Sequence, residues 1–188
     1  LLQSQIEPHF LFNTLSNILI LLDIDPSAGK KMLKDMIRYL RAALAETRAQ
    51  WTTLGGEIEL ITAYLDLYKV RMGDRLQVRI DLDEALRPAM FAPMLLQPLV
   101  ENALLHGLEE MIEGGTIFIS AEQTDAILRV TVADTGKGFD PDASKGMGLA
   151  NVRDRLKALY SQQGRLIITE NQPSGVKAII EVPYAESR

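Results

Sequence analysis

Two rhythms divide the chain. Up to residue 72 apolar side chains recur every three or four positions, the period of a helix with one covered face. From residue 76 they recur every second position, the period of a strand. The helical part predicts a helix over 1–24, then a break at Asp25-Pro26 where a second helix opens. An aspartate cap satisfies free N–H groups there, and proline pre-sets φ in the first turn. Leu33, Ile37, Leu40 and Leu44 form an apolar stripe on the second helix, while Lys30, Lys31, Lys34, Arg38 and Arg41 give it a basic, solvated face. Gly55-Gly56 interrupts the pattern, and EIELITAYLDLYKVRM (57–72) resumes it as a third helix closed by Gly73. Two helices of this size cannot enclose a core alone, so the first pair is expected to join a second copy in a four-helix bundle.

The strand part predicts LQVRIDLD from residue 76, then TIFISAE (116–122) and ILRVTVAD (127–134) as a hairpin around QTDA. RLIITE (165–170) and VKAIIEV (176–182) form a second hairpin around NQPSG. Helical stretches lie between, at 94–112 and 147–162. Strand, helix, hairpin, helix, hairpin implies an α+β fold: a sheet covered on one face by helices. The chain thus divides into a helical hairpin (1–50), a connecting helix (51–75) and a sandwich (76–188).

Composition narrows the function. A net charge of −5 argues against a nucleic-acid surface, and the absence of cysteine removes disulfides and thiolate catalysis. No apolar run reaches the roughly 18 to 20 residues that span a bilayer. The opening LLQSQI is already in helical rhythm, as in a fragment whose upstream part lies outside the sequence.

The candidate chemistry begins with DTGKGF (134–139), which follows a strand directly. Gly136 and Gly138 let the backbone approach a ligand, and Asp134 can accept a hydrogen bond from an exocyclic amine. GMGL (146–149) opens a helix with Gly146, Gly148 and Leu149, where free N–H groups and the helix dipole suit phosphate. QPLVENALLHG (97–107) interrupts apolar packing with Glu101, Asn102 and His106. Its last two polar residues stand four apart on one face, an amide oxygen for Mg²⁺ and an imidazole for phosphate.

The stretch QIEPHFLFNTL (5–15) sets Pro8 and His9 side by side in an apolar helical run, and His9 is either a core residue or a reactive one. At about 100° per residue, Leu11, Leu15, Ile18 and Leu22 gather opposite His9, whereas Gln5, Asn13 and Ser16 share its side. His9 is therefore expected to be accessible, as a nucleophile must be. Pro8 is expected to bend the helix just before it and leave the carbonyl of residue 4 unpaired. Glu7 lies about 160° away around the helix and is poorly placed as a base.

The segments around Asn102, Asp134 and Gly146 resemble the N, G1 and G2 boxes of the GHKL (Bergerat) ATP-binding fold, shared by histidine kinases, gyrase, Hsp90 and MutL. That resemblance implies an α/β sandwich with a mixed sheet, ATP and Mg²⁺ as cofactors, Asn102 as magnesium ligand, Asp134 reading the adenine amine, and glycines flanking a small mobile lid. The stretch Gln5, Pro8, His9, Phe10, Leu11, Phe12 and Asn13 resembles the phosphoacceptor signature of LytS-like sensor histidine kinases. So do LGGEIELITAYLDLYKVRMGDRL (54–76), PLVENALLHG and GMGLANVRDRL (146–156). The resemblance implies autophosphorylation on His9 and transfer to an aspartate of a response regulator, often of the LytTR DNA-binding type. It further implies a homodimer and a membrane-embedded sensor upstream. Glu101 is a candidate general base and Asn13 a candidate for orienting water in a phosphatase step. Two other readings compete: a GHKL ATPase or serine-directed kinase gated by ATP, which leaves PHFLFN without a purpose, and a non-catalytic docking module, against which the intact boxes argue.

Overall fold

The computed structural model describes residues 8–48, 50–138 and 147–186. The described part of helix α1 runs Pro8–Ile24 and α2 runs Pro26–Arg48. Between them Asp25 caps as expected: its Oδ1 accepts from the backbone N–H of Ser27 at 3.0 Å and of Ala28 at 3.1 Å. The predicted bend before Pro8 falls outside the described residues.

Which faces of this hairpin are covered differs from the expectation. On α2 the buried stripe is Met32, Met36, Tyr39 and Ala43, while Leu33, Ile37 and Leu44 remain largely exposed. On α1 the buried side centres on Phe10, Thr14 and Ile18, and Leu15 is exposed. The reason is the partner. Helix α2 packs between α1 and α3 (Leu54–Met72), and α1 reaches α3 through Phe10, which lies between Tyr39 of α2 and Tyr64 and Tyr68 of α3 at centroid distances of 4.9 to 5.7 Å. Thr14 tolerates burial because its hydroxyl donates to the Phe10 carbonyl at 2.7 Å. A second apolar surface is left over, including Phe12 at 70% exposure and Leu19 at 67%.

Helix α3 starts earlier than its pattern suggested. Thr53 caps it by accepting from the Gly56 N–H at 3.1 Å, so both glycines lie inside the first turn. Gly73 closes it, with φ +59° and its N–H on the Lys69 carbonyl. Strand β1 (Thr52–Thr53) pairs with β3 (Met90–Phe91), two short strands the alternation did not reveal.

The main sheet is mixed and five-stranded. It contains β2 (Leu76–Asp81), β4 (Gly115–Thr124), β5 (Ile127–Asp134), β6 (Arg165–Glu170) and β7 (Val176–Pro183), in the order β2-β4-β5-β7-β6. Only the β2–β4 pair is parallel. The period-two pattern gave these strands to within two or three residues at each end. The first hairpin is tighter than expected, with two residues between strands and Asp125 at φ +53°. Alternate residues Ile117, Ile119, Leu128, Val130, Val132, Ala178, Ile180 and Val182 are buried under the helices. Helix α4 (Gln97–Asn102) and helix α5 (Met147–Tyr160) complete the covering layer.

Candidate active site

Helix α4 is held in place by a carboxyl group rather than by its own cap. Glu57 of α3 is wholly buried and accepts three backbone N–H bonds, from Met94 at 2.5 Å, Leu95 at 3.0 Å and Leu96 at 3.0 Å. The turn that presents these groups puts Met94 in the left-handed region, φ 57°. A carboxyl group at this position satisfies the amides of the turn that leads into the helix ending in Asn102.

After Asn102 the helix widens into a π-turn, Ala103–Leu108, where a uniform α-helix was expected. The apolar pattern is the same for either winding; tertiary contact decides. The Glu109 N–H reaches back to the Leu104 carbonyl at 2.8 Å, and the Gly107 carbonyl accepts from the Lys137 N–H at 3.3 Å. Gly107 and Gly136 meet backbone to backbone: a Cβ on Gly136 would lie 2.5 Å from the Gly107 carbonyl oxygen. The π-turn thereby locks the helix carrying Asn102 and His106 onto the loop after β5.

Asp134 ends β5 at 2% exposure. Burial pushes its carboxyl above the usual range, and N–H bonds from Gly136 and Val176 partly offset this. The Gly136 bond is 2.8 Å long. The β6–β7 turn, which the sequence marked only as a hairpin, cups the same residue. Asn171 Nδ2 donates to the Asp134 carbonyl at 2.7 Å, and Gly175, at φ +106°, packs where a Cβ would lie 2.0 Å from that oxygen. Asn171, Gly175 and Gly107 are thus site residues that sequence reasoning missed. The only local signal was a glycine inside an apolar helix and another in a turn.

The remaining expected residues divide into groups. Asn102 is half-buried and His106 exposed on the same helix end. Gly138 takes φ +104°, a conformation that favours glycine. Gly148 is exposed near Pro98, and Leu149 is buried at the start of α5. Gly146, Phe139, Glu7 and Gln5 lie outside the described residues.

His9 is exposed, and the amide nitrogen of Asn13 sits 3.2 Å from both of its ring nitrogens. Because it is equidistant, Asn13 steadies the ring without selecting one nitrogen. His9 opens on a cleft of about 370 Å³ shared with Asn13, Asn17, Tyr68, Arg71, Leu105 and Glu109. Leu105 and Glu109 belong to the π-turn and its end, so this cleft lies between the hairpin and the helix that carries Asn102. Asn102 and Asp134 are not among its lining residues. Glu101 lies elsewhere: it accepts from Gln97 Nε2 at 2.8 Å and lines a smaller cleft between α4 and α5. Gln97 also donates to the Tyr39 hydroxyl at 3.0 Å, tying α4 to α2. Burial first, and the neighbouring Glu101 next for Tyr64, raise the phenols of Tyr39 and Tyr64 far above their ordinary value. Both stay protonated as hydrogen-bonding groups.

A histidine-bearing hairpin joined to a Bergerat-type sandwich is the layout of an ATP-dependent protein-histidine kinase. The chain belongs to the histidine kinase family: residues 1–76 match the histidine kinase family, and 91–186 match the histidine kinase-, DNA gyrase B- and HSP90-like ATPases. It is 32% identical to the YwpD protein of Bacillus subtilis, covering 99% of this chain and 70% of that one. It is also 32% identical to the sensor protein LytS of Oceanobacillus iheyensis, covering 97% of this chain and 34% of LytS. The chain thus spans about a third of that curated relative. Among solved structures, the histidine kinase domain of the blue-light activated kinase of Erythrobacter litoralis superposes with a TM-score of 0.57 at 18% identity, covering 97% of this chain and 88% of that domain. The ATPase match carries ATP use with it. No helix among the described residues is long and apolar enough to cross a membrane.

Proposed function

We propose that this chain is the phosphoacceptor and ATP-binding part of a two-component sensor kinase, moving the γ-phosphoryl group of ATP to His9 and then to an aspartate of a response regulator. One observation carries the proposal: an exposed His9, steadied by Asn13, faces a cleft whose other wall is the end of the ATP-site helix. A ring nitrogen attacks phosphorus in line, the bond to the bridging oxygen breaks with its electron pair on ADP, and the proton on the opposite ring nitrogen leaves. Positioning and charge stabilisation supply most of the catalysis, so the residues that matter are those that hold the nucleotide.

Asp134 accepts from the adenine amine, and Gly136, Gly138, Gly146, Gly148 and Leu149 flank the phosphates. The Asn102 side-chain oxygen suits Mg²⁺, which commonly takes one or two protein ligands and completes its shell with phosphate and water. When bound, that ion neutralises phosphate charge. His106 reaches the same phosphates from the π-turn. Glu101 reaches His9 as general base only after the sandwich shifts relative to the hairpin; unchanged autophosphorylation in Glu101→Gln would remove it from the mechanism. Asn13 orients water when the phosphoryl group is hydrolysed from the regulator.

The receiver partner is supported by a neighbour of the same fold, the kinase ThkA, crystallised with its response regulator TrrA and matched with a TM-score of 0.55 at 18% identity. A regulator of the LytTR type and a membrane-anchored sensor upstream belong to the same proposal. The uncovered apolar faces of α1 and α2 are read as the seam of a homodimer, completing a four-helix bundle. Leu19→Asp combined with Ile37→Asp is expected to convert a dimer into a monomer by light scattering; a variant that remains dimeric would refute that seam. The kinase reading itself is tested with γ-labelled ATP and Mg²⁺. The expected label is lost in acid, survives alkali and is absent from His9→Gln.

A further inference from the structure

Arg71 occupies a place in the His9 cleft that the ATP chemistry leaves unused. Among the described residues, the charged and titratable groups lining that cleft are His9 from α1, Tyr68 and Arg71 from α3, and Glu109 at the end of the π-turn; α2 contributes Met32. Arg71 is the one guanidinium among them. It pairs with Glu109 and lies 5.6 Å from the centroid of the Tyr68 ring, which in turn stacks on Phe10, the residue beside His9. The cation is therefore held at the His9 cleft from two sides, by a carboxylate of the ATP half and by an aromatic face.

We infer that Arg71 is the phosphoryl-binding residue of this cleft, exchanging Glu109 for the phosphoryl oxygens once His9 is modified. A phosphoryl group brings about two negative charges and three acceptor oxygens, against one charge and two oxygens for a carboxylate, and a guanidinium binds either in a fork. The exchange has a consequence for the ATP half. The Glu109 N–H closes the π-turn onto Leu104 at 2.8 Å, so the carboxylate freed from Arg71 belongs to the helix end that carries His106. Phosphorylation of His9 would then loosen the contact between hairpin and sandwich and open the cleft to the next acceptor.

A nearby cation also disfavours protonation of the phosphorylated imidazole. Protonation makes the ring the better leaving group, and water then takes the phosphoryl group as the P–N bond breaks. Arg71 should therefore slow hydrolysis near neutrality and push the acid-labile range to lower pH.

The inference rests on His9 as the phosphoacceptor, but its test need not use ATP. Phosphoramidate transfers its phosphoryl group to a histidine nitrogen with loss of ammonia. The whole chain can be loaded in this way, and phospho-His9 followed by peptide mass spectrometry across pH. Arg71→Gln and Glu109→Gln break the same ion pair, so a purely structural pair predicts the same change in both. The expected result is hydrolysis about three- to tenfold faster in Arg71→Gln, with its pH profile displaced upward. Glu109→Gln should keep or lengthen the wild-type lifetime, and Arg71→Lys should recover part of it. Equal lifetimes in wild type and Arg71→Gln, or equal shortening in Arg71→Gln and Glu109→Gln, would overturn the inference. Failure of ATP to label His9 would instead count against the kinase reading alone.

Discussion

Glu57→Ala is expected to lower stability by about 3 to 5 kcal/mol, enough to leave much of the chain unfolded near physiological temperature. The side chain is wholly buried and accepts from three consecutive backbone groups, Met94, Leu95 and Leu96. Alanine removes all three acceptors at once, leaves the amides without water, and opens a cavity under α4. Glu57→Gln keeps the volume but offers one acceptor oxygen in place of two, so an intermediate loss is expected. Chemical denaturation of both variants, read by circular dichroism, checks the order. If Glu57→Ala melted like the wild type, Glu57 would not be holding the start of α4.

The second large effect concerns nucleotide binding. Under the proposed function Asp134→Asn should weaken ATP binding by about one to two orders of magnitude, the worth of a hydrogen bond to a charged group. Asparagine keeps the shape but has one acceptor, which the Gly136 N–H already claims in the native protein. Titration calorimetry measures the loss, and an unchanged melting profile separates it from misfolding. The pH dependence has a definite sign. Burial raises the Asp134 carboxyl above its ordinary value, so its ionisation costs stability in the folded state. That contribution favours the fold most below the ordinary carboxylate range and is lost as pH rises through the raised folded value. Adenine draws on the ionised acceptor, so affinity should fall on acidification while a solvent-exposed aspartate would still be charged. Asp134→Asn should lack that dependence.

Much of this was legible from residue order. Period-two alternation placed all five strands of the sheet, because each has one face under helices and one toward solvent. Asp25-Pro26 marked a helix start that local capping chemistry fixes on its own. Asp134, Gly136 and Gly138 drew attention only together with GMGL and QPLVENALLHG, since a glycine pair after a strand is most often a turn.

What was not legible depended on tertiary partners. Helix α1 is apolar around most of its circumference, so its sequence could not say that Phe10 and Ile18 would be buried while Leu15 and Leu19 stayed uncovered. Glu57 and Glu59 stand two apart in one helix and look alike, yet the first is buried and the second is exposed and bonds Arg87. The π-turn left no periodic trace, since it arises from Gly107 meeting Gly136. Asn171 and Gly175 serve Asp134 from 37 and more residues away, a distance no local pattern encodes.

The chain contains two histidines, His9 and His106, one on the hairpin and one in the π-turn. The most direct measurement is to incubate the chain with ATP and Mg²⁺, digest it under alkaline conditions, and locate the phosphoryl group by peptide mass spectrometry. The account predicts modification of the peptide containing His9 and none on the peptide containing His106. Phosphate on His106, or on neither while ATP is consumed, would contradict it.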